Sequence, residues 1–153
     1  MANPLGAVVI ADGGNPRTLT GIALETISGG QIVVVSGAFD AVSSGASSFK
    51  TSDIEVAQIV SAERANGVAL RNATSGNEVV FLTRGAVIVP SLGSVLQGTS
   101  IEAVSADGVR SLSSGAVPTG LYAGVSANKV IGRALTAAGS VTAGNYALID
   151  FSF

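Results

Sequence analysis

The sequence predicts an all-β protein: a compact β-barrel or sandwich of short antiparallel strands with an extended N-terminal arm. Short apolar runs alternate along the chain with clusters of Gly, Ser, Asn and Asp, which is typical of strands and turns rather than of amphipathic helices. Glycine is frequent, at 20 of 153 residues. Hydrophobic residues make up 47% and charged residues only 12%, so the composition is that of a chain with a core and not of a disordered one.

The apolar runs predict a series of strands joined by short connections. Their bounds are 6–10, 21–24, 31–35, 54–60, 68–71, 78–82, 86–89, 101–105, 109–112, 130–135 and 146–151. Residues 105–109 (SADGV) predict a tight hairpin in which Asp107 and Gly108 supply the two positive-φ positions of a type I′ turn. We expect strands to end at Pro90 and Pro118, because proline cannot donate to a sheet ladder.

One of these segments also has features of a helix. Ser52 and Glu55 have the spacing of a capping box, and Asn66-Gly67 would suit the end of a helix. Against this, Ile54 and Val56 are β-branched and alternate as in a strand. We therefore favour a strand over residues 54–60.

The chain divides into an N-terminal arm, residues 1–18, and a single β-barrel domain, residues 19–153. The arm is predicted because residues 1–18 hold two Asn-Pro turns and only one short apolar run. Such an arm can add a strand to the sheet edge of a neighbour, and the alternative is a disordered tail. Within the domain, the Ser- and Gly-rich residues 36–53 predict a long flexible loop, and loops of this length are usually functional or disordered.

A pattern of Gly-x-Ala-Leu, a small polar turn, Gly-Gln/Asn and an apolar strand occurs three times. The copies begin at Gly21, Gly67 and Gly132, and the second Gly of each copy would permit a positive φ before the strand. Alanine beside glycine leaves room for close packing of strands. The copies are unequally spaced, so we interpret them as similar hairpin corners of one barrel rather than as a solenoid.

The composition argues against an enzyme and against a nucleic-acid-binding protein. The chain has no His and no Cys, so the commonest general base and the thiolate zinc ligands are missing. The carboxylate pairs Asp53/Glu55 and Glu102/Asp107 are more typical of a solvated strand face than of acid–base catalysis. The 8 Lys and Arg residues are scattered and the net charge is −2, which does not suit phosphate backbones. We expect no catalytic residues, no cofactor and no metal.

The apolar content points instead to assembly. The apolar runs are far shorter than the roughly 20 residues of a membrane span, and the first residues lack the positive region of a signal peptide. Because a small domain has little interior, we expect part of the apolar surface to be covered by other subunits. Residues 146–153 alternate, with Phe151 and Phe153 on one side, and are either a strand at a subunit interface or a plain core-edge strand.

Four stretches of this chain resemble one family of viral proteins. They are residues 67–80 (GVALRNATSGNEVV), the 105–109 hairpin, residues 130–135 followed by 148–151, and the opening residues 20–30. Together they resemble the small β-barrel head-decoration (capsid cement) proteins of tailed viruses of bacteria and archaea, over about residues 18–153. The loop at 36–53 is longer and the charge lower than is usual for that family.

The resemblance implies a non-enzymatic structural protein of the virion. Such a protein is made in the host cytoplasm, forms a homotrimer on the capsid exterior and binds assembled major capsid proteins with its N-terminal arm. The arm candidates in this chain are Ala2, Asn3, Pro4 and Leu5. Two alternatives remain: another virion barrel, such as a tail, turret or fibre-base protein, or a β module that binds small ligands or glycans. Aromatic residues, at 5%, are scarce for glycan stacking.

Overall fold

The computed structural model describes residues 6, 8–9, 16–36, 54–60, 65–112, 130–138 and 145–152. These residues form ten β-strands and no helix, which confirms the predicted all-β class. The strands are β1 (Val8–Val9), β2 (Arg17–Ala23), β3 (Ile32–Ser36), β4 (Glu55–Gln58), β5 (Gly67–Ala69), β6 (Glu78–Pro90), β7 (Ser100–Ser105), β8 (Gly108–Ser111), β9 (Val130–Ala134) and β10 (Tyr146–Phe151).

Five of the strands close into a barrel. Their order is β2-β4-β3-β5-β6, and β6 pairs back with β2. Only the β2–β4 pair within this ring is parallel. The other strands continue from β6 in the order β10-β9-β7-β8, all antiparallel, and a parallel bridge between Ser91 and Val109 brings β8 back to the end of β6. The fold is therefore a barrel with a second sheet built on one of its strands.

Strand β6 belongs to both parts of the fold. Its first half pairs with β2 and β5, and its second half pairs with β10. The sequence predicted two strands here, 78–82 and 86–89, and the structure has one. Gly85 adopts a φ of 138° inside one continuous strand, next to a bulge in the β2–β6 register. The glycine bends the strand without ending it, and so a single strand joins the two sheets.

Two groups of buried side chains form the core. The five ring strands all contribute to the first group, which fills the barrel: Ala23, Ile27, Val33, Val56, Ala69, Ala73, Val79 and Phe81. The second group includes Ile32, Val68 and Leu82 of the barrel strands and packs them against β7 to β10. Adjacent residues of one strand thus serve different cores, because successive side chains point to opposite faces.

Several predictions about local structure are confirmed. Residues 55–58 form strand β4, so the helical interpretation of this segment was wrong. Strand β6 ends at Pro90, as expected, whereas Pro118 lies outside the described residues. In β10, Ala147, Ile149 and Phe151 are buried and the residues between them are not, as the alternation predicted.

The hairpin at 105–109 forms, but its turn was predicted one residue too far along the chain. Ser105 pairs with Gly108, so Ala106 and Asp107 are the two central residues. Gly108 is not among the glycines with positive φ. A Cβ at Gly108 would lie 2.7 Å from Leu92 Cγ and 2.9 Å from the Pro90 carbonyl oxygen, so the glycine is needed for close packing and not for the turn.

The repeated pattern marks turns at corners of the fold, as predicted. The first two copies carry Gly30 (φ 87°) and Gly76 (φ 83°) before β3 and β6. Their turns face each other through the antiparallel bridge between Ile27 and Ala73. For the third copy the prediction of one barrel was wrong: it begins within β9 of the second sheet, and Ala138 in its turn pairs with Val95. Val95 lies in a fourth corner, residues 92–98, which the sequence pattern did not reveal.

Part of the predicted N-terminal arm, residues 1–18, is attached to the second half of β6, whereas Arg17 and Thr18 already belong to β2. Val8 and Val9 pair with Val87 and Ala86, and the Gly6 amide donates to the Ile88 carbonyl at 2.9 Å. Residues 1–5, and residues 37–53 of the loop predicted at 36–53, lie outside the described residues, whereas Ser36 ends strand β3. The domain boundaries proposed from the sequence therefore stay predictions.

Candidate interaction surfaces

The carboxylates of the pair Glu102/Asp107 have separate partners. Arg110 Nε donates to Glu102 Oε1 at 2.7 Å, with the Glu102 side chain 8% exposed and that of Arg110 53% exposed. Asp107 Oδ1 accepts from Gln31 Nε2 at 2.6 Å, which links the β7–β8 hairpin to the start of β3. Both carboxylates thus have structural partners. Of the other pair, Glu55 is exposed and Asp53 lies outside the described residues.

The described residues contain neither a cluster of metal ligands nor a membrane-spanning helix. In the ranges that the structure covers, no three His, Cys, Asp or Glu residues come together in a way that would hold a metal ion. No helix among the same residues is long and apolar enough to cross a bilayer.

An open depression on the described surface lies where the first two corners meet. We call it the paired-corner site. Its floor is the bridge in which Ile27 N donates to Ala73 O, and Ala73 N to Ile27 O, both at 2.8 Å. Its volume is about 470 Å³, and it is open to solvent. Six polar residues line it: Thr26, Ser28, Asn72, Thr74, Asn77 and Glu78.

Hydrogen bonds hold the two turns of the paired-corner site in one arrangement. Asn72 Oδ1 accepts from the Gly29 amide at 2.8 Å, and Asn77 Nδ2 donates to Thr74 Oγ1 at 2.6 Å. The Gly76 amide donates to the Ala23 carbonyl at 2.7 Å, which ties the second turn to the end of β2. These hydrogen bonds therefore hold the two turns in place relative to each other and to the end of β2.

A second surface is apolar and lies on β6 and β10. We call it the β6–β10 outer face; it consists of Ile88, Pro90, Tyr146 and Leu148. Tyr146 is the register partner of Pro90 and Leu148 that of Ile88, so the four side chains lie on one face of the sheet. Tyr146 is 39% exposed and the other three are partly exposed, whereas the alternate residues point into the core. This is apolar surface that the single chain leaves uncovered.

The structure places the sequence-predicted site residues as follows. Phe151 is fully buried and packs in the core between the sheets, in a strand with β6 on one side and β9 on the other. Phe153 and the arm candidates Ala2, Asn3, Pro4 and Leu5 lie outside the described residues. The apolar side chains of β10 that do reach the surface are Tyr146 and Leu148, on the opposite face from Phe151.

Sequence reasoning did not identify the paired-corner site. The repeated pattern contained a signal for it, since three similar corners with polar turns were expected in one barrel. Which corners would face each other was not evident, because the Gly29–Asn72 contact joins residues 43 positions apart. Only closure of the barrel brings the two turns together.

Comparison with known proteins finds similarity in structure and none in sequence. No protein-family model matches the chain, and no curated protein matches it. Among solved structures, the N base of the head fibre protein gp8.5 of bacteriophage phi29 matches with a TM-score of 0.59. The match covers 90% of this chain and 95% of that chain at 12% sequence identity. At this identity the likeness concerns the fold, which the two chains share over almost their whole lengths.

Proposed function

We propose that this protein is a structural component of a virion that decorates and stabilises the capsid by binding assembled major capsid proteins on the exterior of the shell. The observation that supports this most is the match of nearly the whole fold to the base of a phage head fibre. The resemblance of residues 67–80 and the other stretches to capsid cement proteins points to the same class of particle. The role needs no catalytic group and no cofactor.

The β6–β10 outer face supports a role in assembly. Burial of apolar surface contributes roughly 25 cal/mol per Å² and is the main favourable term in most protein association. Contacts of this kind with a finished shell stabilise the shell, because a protein that binds only the assembled state shifts the equilibrium toward it. We propose a homotrimer, since closed rotational symmetry covers equivalent surfaces on every copy.

The N-terminal arm is the proposed contact with the major capsid protein. Gly6 is buried and hydrogen-bonded to β6, and β1 follows it directly. Residues Ala2 to Leu5 therefore precede a fixed point of attachment on the barrel. Their removal leaves both Gly6 and β1 in place, so it tests the arm without removing a strand from the sheet.

Co-sedimentation separates this function from the alternatives. We expect the full chain to pellet with assembled shells and to stay in the supernatant with unassembled capsid protein. The variant that lacks residues 2–5 is expected to lose shell binding while its thermal unfolding stays that of the full chain. Light scattering of the free protein is expected to give the mass of three chains. Equal binding to assembled and unassembled capsid protein, or none to either, would contradict the proposal.

The comparison favours a second candidate, the base of a head fibre. In that role the protein also binds the shell but supports a longer projection instead of covering the surface. Copy number distinguishes the two roles: a decoration protein fills all equivalent positions of the shell, whereas a fibre base occupies a subset. Electron microscopy of shells saturated with the protein is expected to show density at every equivalent position, and occupancy of a subset would favour the fibre base.

A further inference from the structure

The two halves of the described chain have the same strand arrangement. In the first half, β2 is joined in parallel by β4 and pairs antiparallel with the start of β6. In the second half, the end of β6 is joined by β8 through a parallel bridge and pairs antiparallel with β10. The registers correspond, because Ile22 lies opposite Glu78 and Pro90 opposite Tyr146, each residue of the second pair 68 positions after its equivalent. The second half is therefore a structural repeat of the first.

The turns of the two halves are closed by the same backbone hydrogen bond. The Gly30 amide donates to the Ala69 carbonyl at 2.7 Å, and the Gly98 amide donates to the Ala134 carbonyl at 2.8 Å. Both glycines have a positive φ, 87° and 79°. A residue of one half therefore has an equivalent in the other, and a difference between two equivalents indicates a difference in their surroundings.

Strand β1 lies against the second half and has no counterpart against the first among the described residues. It pairs with residues 86–87 of β6, and the Gly6 amide donates to the Ile88 carbonyl at 2.9 Å. The equivalent positions in the first half are residues 18–20 of β2. In the part of the chain that the structure describes, β4 joins this edge of β2 only from Ile22 onward. We call residues 18–20 the free β2 edge.

The free β2 edge presents backbone groups to a further strand. The Ile22 amide donates to the Ile54 carbonyl at 2.7 Å, on the side of β2 away from β6. Alternate residues of a strand direct their N–H and C=O groups to the same side. Thr18 and Thr20 therefore direct these groups away from β6, and neither pairs with a described strand there. An exposed row of this kind is a template for strand addition.

Leu19 is an apolar side chain that a strand on this edge would cover. Its equivalent, Val87, is fully buried and has Val8 of β1 as its register partner. Leu19 is 48% exposed and belongs to neither core group. We propose that an extended segment of a partner protein adds to the free β2 edge as an antiparallel strand and covers Leu19, in the way that β1 covers Val87.

The charge beside the free β2 edge indicates the chemistry of this segment. Arg17 and Arg84 are register partners and both are exposed. Like charges directly opposite each other are destabilising, and neither arginine has a carboxylate within ion-pair distance among the described residues. In an added antiparallel strand, the residue two positions after the one opposite Leu19 lies beside Arg17. The segment therefore carries an aspartate or glutamate there, which accepts charge-assisted hydrogen bonds.

The N-terminal arm of a second copy does not have this pattern. Residues 2–9 contain no charged side chain, and the first carboxylate after Val8 is Asp12, four positions later. The occupant is therefore a different protein, with an apolar residue and an acidic one two positions after it. In the second half, β1 and β8 both pair along β6, so an added strand and β4 can share β2 in the same way.

Hydrogen exchange of the free full chain, followed by ¹⁵N NMR, tests whether the edge is free. The amides of Thr18 and Thr20 are expected to exchange fast. Those of Leu19 and Gly21, which point toward β6, are expected to exchange slowly. Equal protection of all four amides would mean that the chain's own residues fill the edge, and the proposal would be wrong.

A peptide titration of the ¹⁵N-labelled full chain tests strand addition itself. The probe is acetyl-Ser-Gly-Ala-Val-Val-Glu-Ser amide, which repeats residues 6–9 and places a glutamate beside Arg17. The control peptide has lysine in place of glutamate. We expect saturable shifts centred on Thr18 and Thr20, with a dissociation constant on the order of 1 mM for the glutamate peptide. Binding of the lysine peptide is expected to be about fivefold weaker.

Two variants separate the apolar contribution from the charged one. Leu19→Thr is expected to weaken binding of the glutamate peptide about fourfold or more, because less apolar surface is covered. Arg17→Gln is expected to weaken it about two- to fivefold and to reduce the preference over the lysine peptide. Arg133→Gln is the matched control, since Arg133 is also an exposed strand arginine but lies opposite Asp150 in the second sheet. This variant is expected to bind like the original chain.

Three outcomes of the titration would overturn the proposal. They are the absence of saturable shifts with both peptides, shifts centred on residues 86–88, which would indicate displacement of β1, and equal affinity for the two peptides. These measurements use the free chain without capsid protein. Their outcome is therefore independent of the co-sedimentation test of the proposed function.

Discussion

The contact between β9 and β10 depends on a residue without a side chain, and Gly132→Ala tests it. Gly132 is the register partner of Phe151. A Cβ at Gly132 would lie well inside van der Waals distance of the Asp150 carbonyl oxygen and 3.2 Å from the Phe151 Cα. Both atoms are backbone, so the contact cannot be relieved by a change of rotamer. The two strands would have to separate, and β9 is the link between β10 and β7.

We expect this substitution to lower the free energy of unfolding by about 3 kcal/mol, the upper end of the range for overpacked sites. In a domain of this size, 1 kcal/mol corresponds to roughly 2–4 °C in Tm. The expected loss is therefore about 6–12 °C in Tm. Circular dichroism during heating, together with urea unfolding, measures both quantities.

Gly76→Ala provides the comparison that isolates the close contact. Gly76 has a φ of 83°, and a Cβ built on it meets nothing within 4 Å. The cost there is backbone strain of about 1–2 kcal/mol, partly offset by about 0.4–1 kcal/mol from the restricted unfolded chain. A Gly132 variant within about 1 kcal/mol of the original chain, or no more destabilised than the Gly76 variant, would refute the reasoning.

Two further substitutions test the core and the buried carboxylate of Glu102. Arg110→Met is expected to destabilise the protein by about 1–2 kcal/mol, because it leaves the buried Glu102 carboxylate unpaired. The loss is smaller than for a fully buried ion pair, because the Arg110 side chain is half exposed and water screens its charge. Adding Glu102→Gln is expected to restore part of that loss in urea unfolding, and no recovery would contradict the role of the pair. Phe151→Ala is expected to cost about 3–5 kcal/mol, because the side chain is fully buried within one chain. This difference in the free energy of unfolding is expected to be the same at low and high protein concentration. A difference that shrinks as the concentration rises would instead indicate a contact between subunits.

Much of the local structure was accessible from the sequence because the signals are short-range. The alternation of residues 146–151 placed Ala147 and Ile149 on the same face of β10 as Phe151, without any knowledge of the neighbouring strands. The glycines at 30 and 76 marked turns because a positive φ is a property of a single residue. Where local signals were ambiguous, as at residues 54–60, the preference of β-branched residues for strands led to the correct choice.

The errors occurred where a residue's role depends on distant parts of the chain. Residues 78–82 and 86–89 were predicted as two separate strands, and Gly108 was predicted as a turn residue. Gly85 bends a strand that two sheets share, and Gly108 accommodates Leu92 and the Pro90 carbonyl oxygen. For Phe151 the sequence left a subunit interface and a core-edge strand equally open, and the structure shows its strand between β6 and β9 with the side chain buried. In each case the deciding atoms belong to another strand.

The sequence by itself determined the fold class, the positions of the strands and the kind of residue at each turn, because period-two alternation and backbone preference act within a few residues. The tertiary structure decided which strands are neighbours, that β6 joins the barrel to the second sheet, and that the two polar turns at Ile27 and Ala73 face each other. The physical reason is that the backbone hydrogen bonds between strands are chemically the same at every position of the chain, so they do not by themselves select which strands pair. The choice among them depends on which closure of the barrel buries the most apolar surface with its polar groups paired.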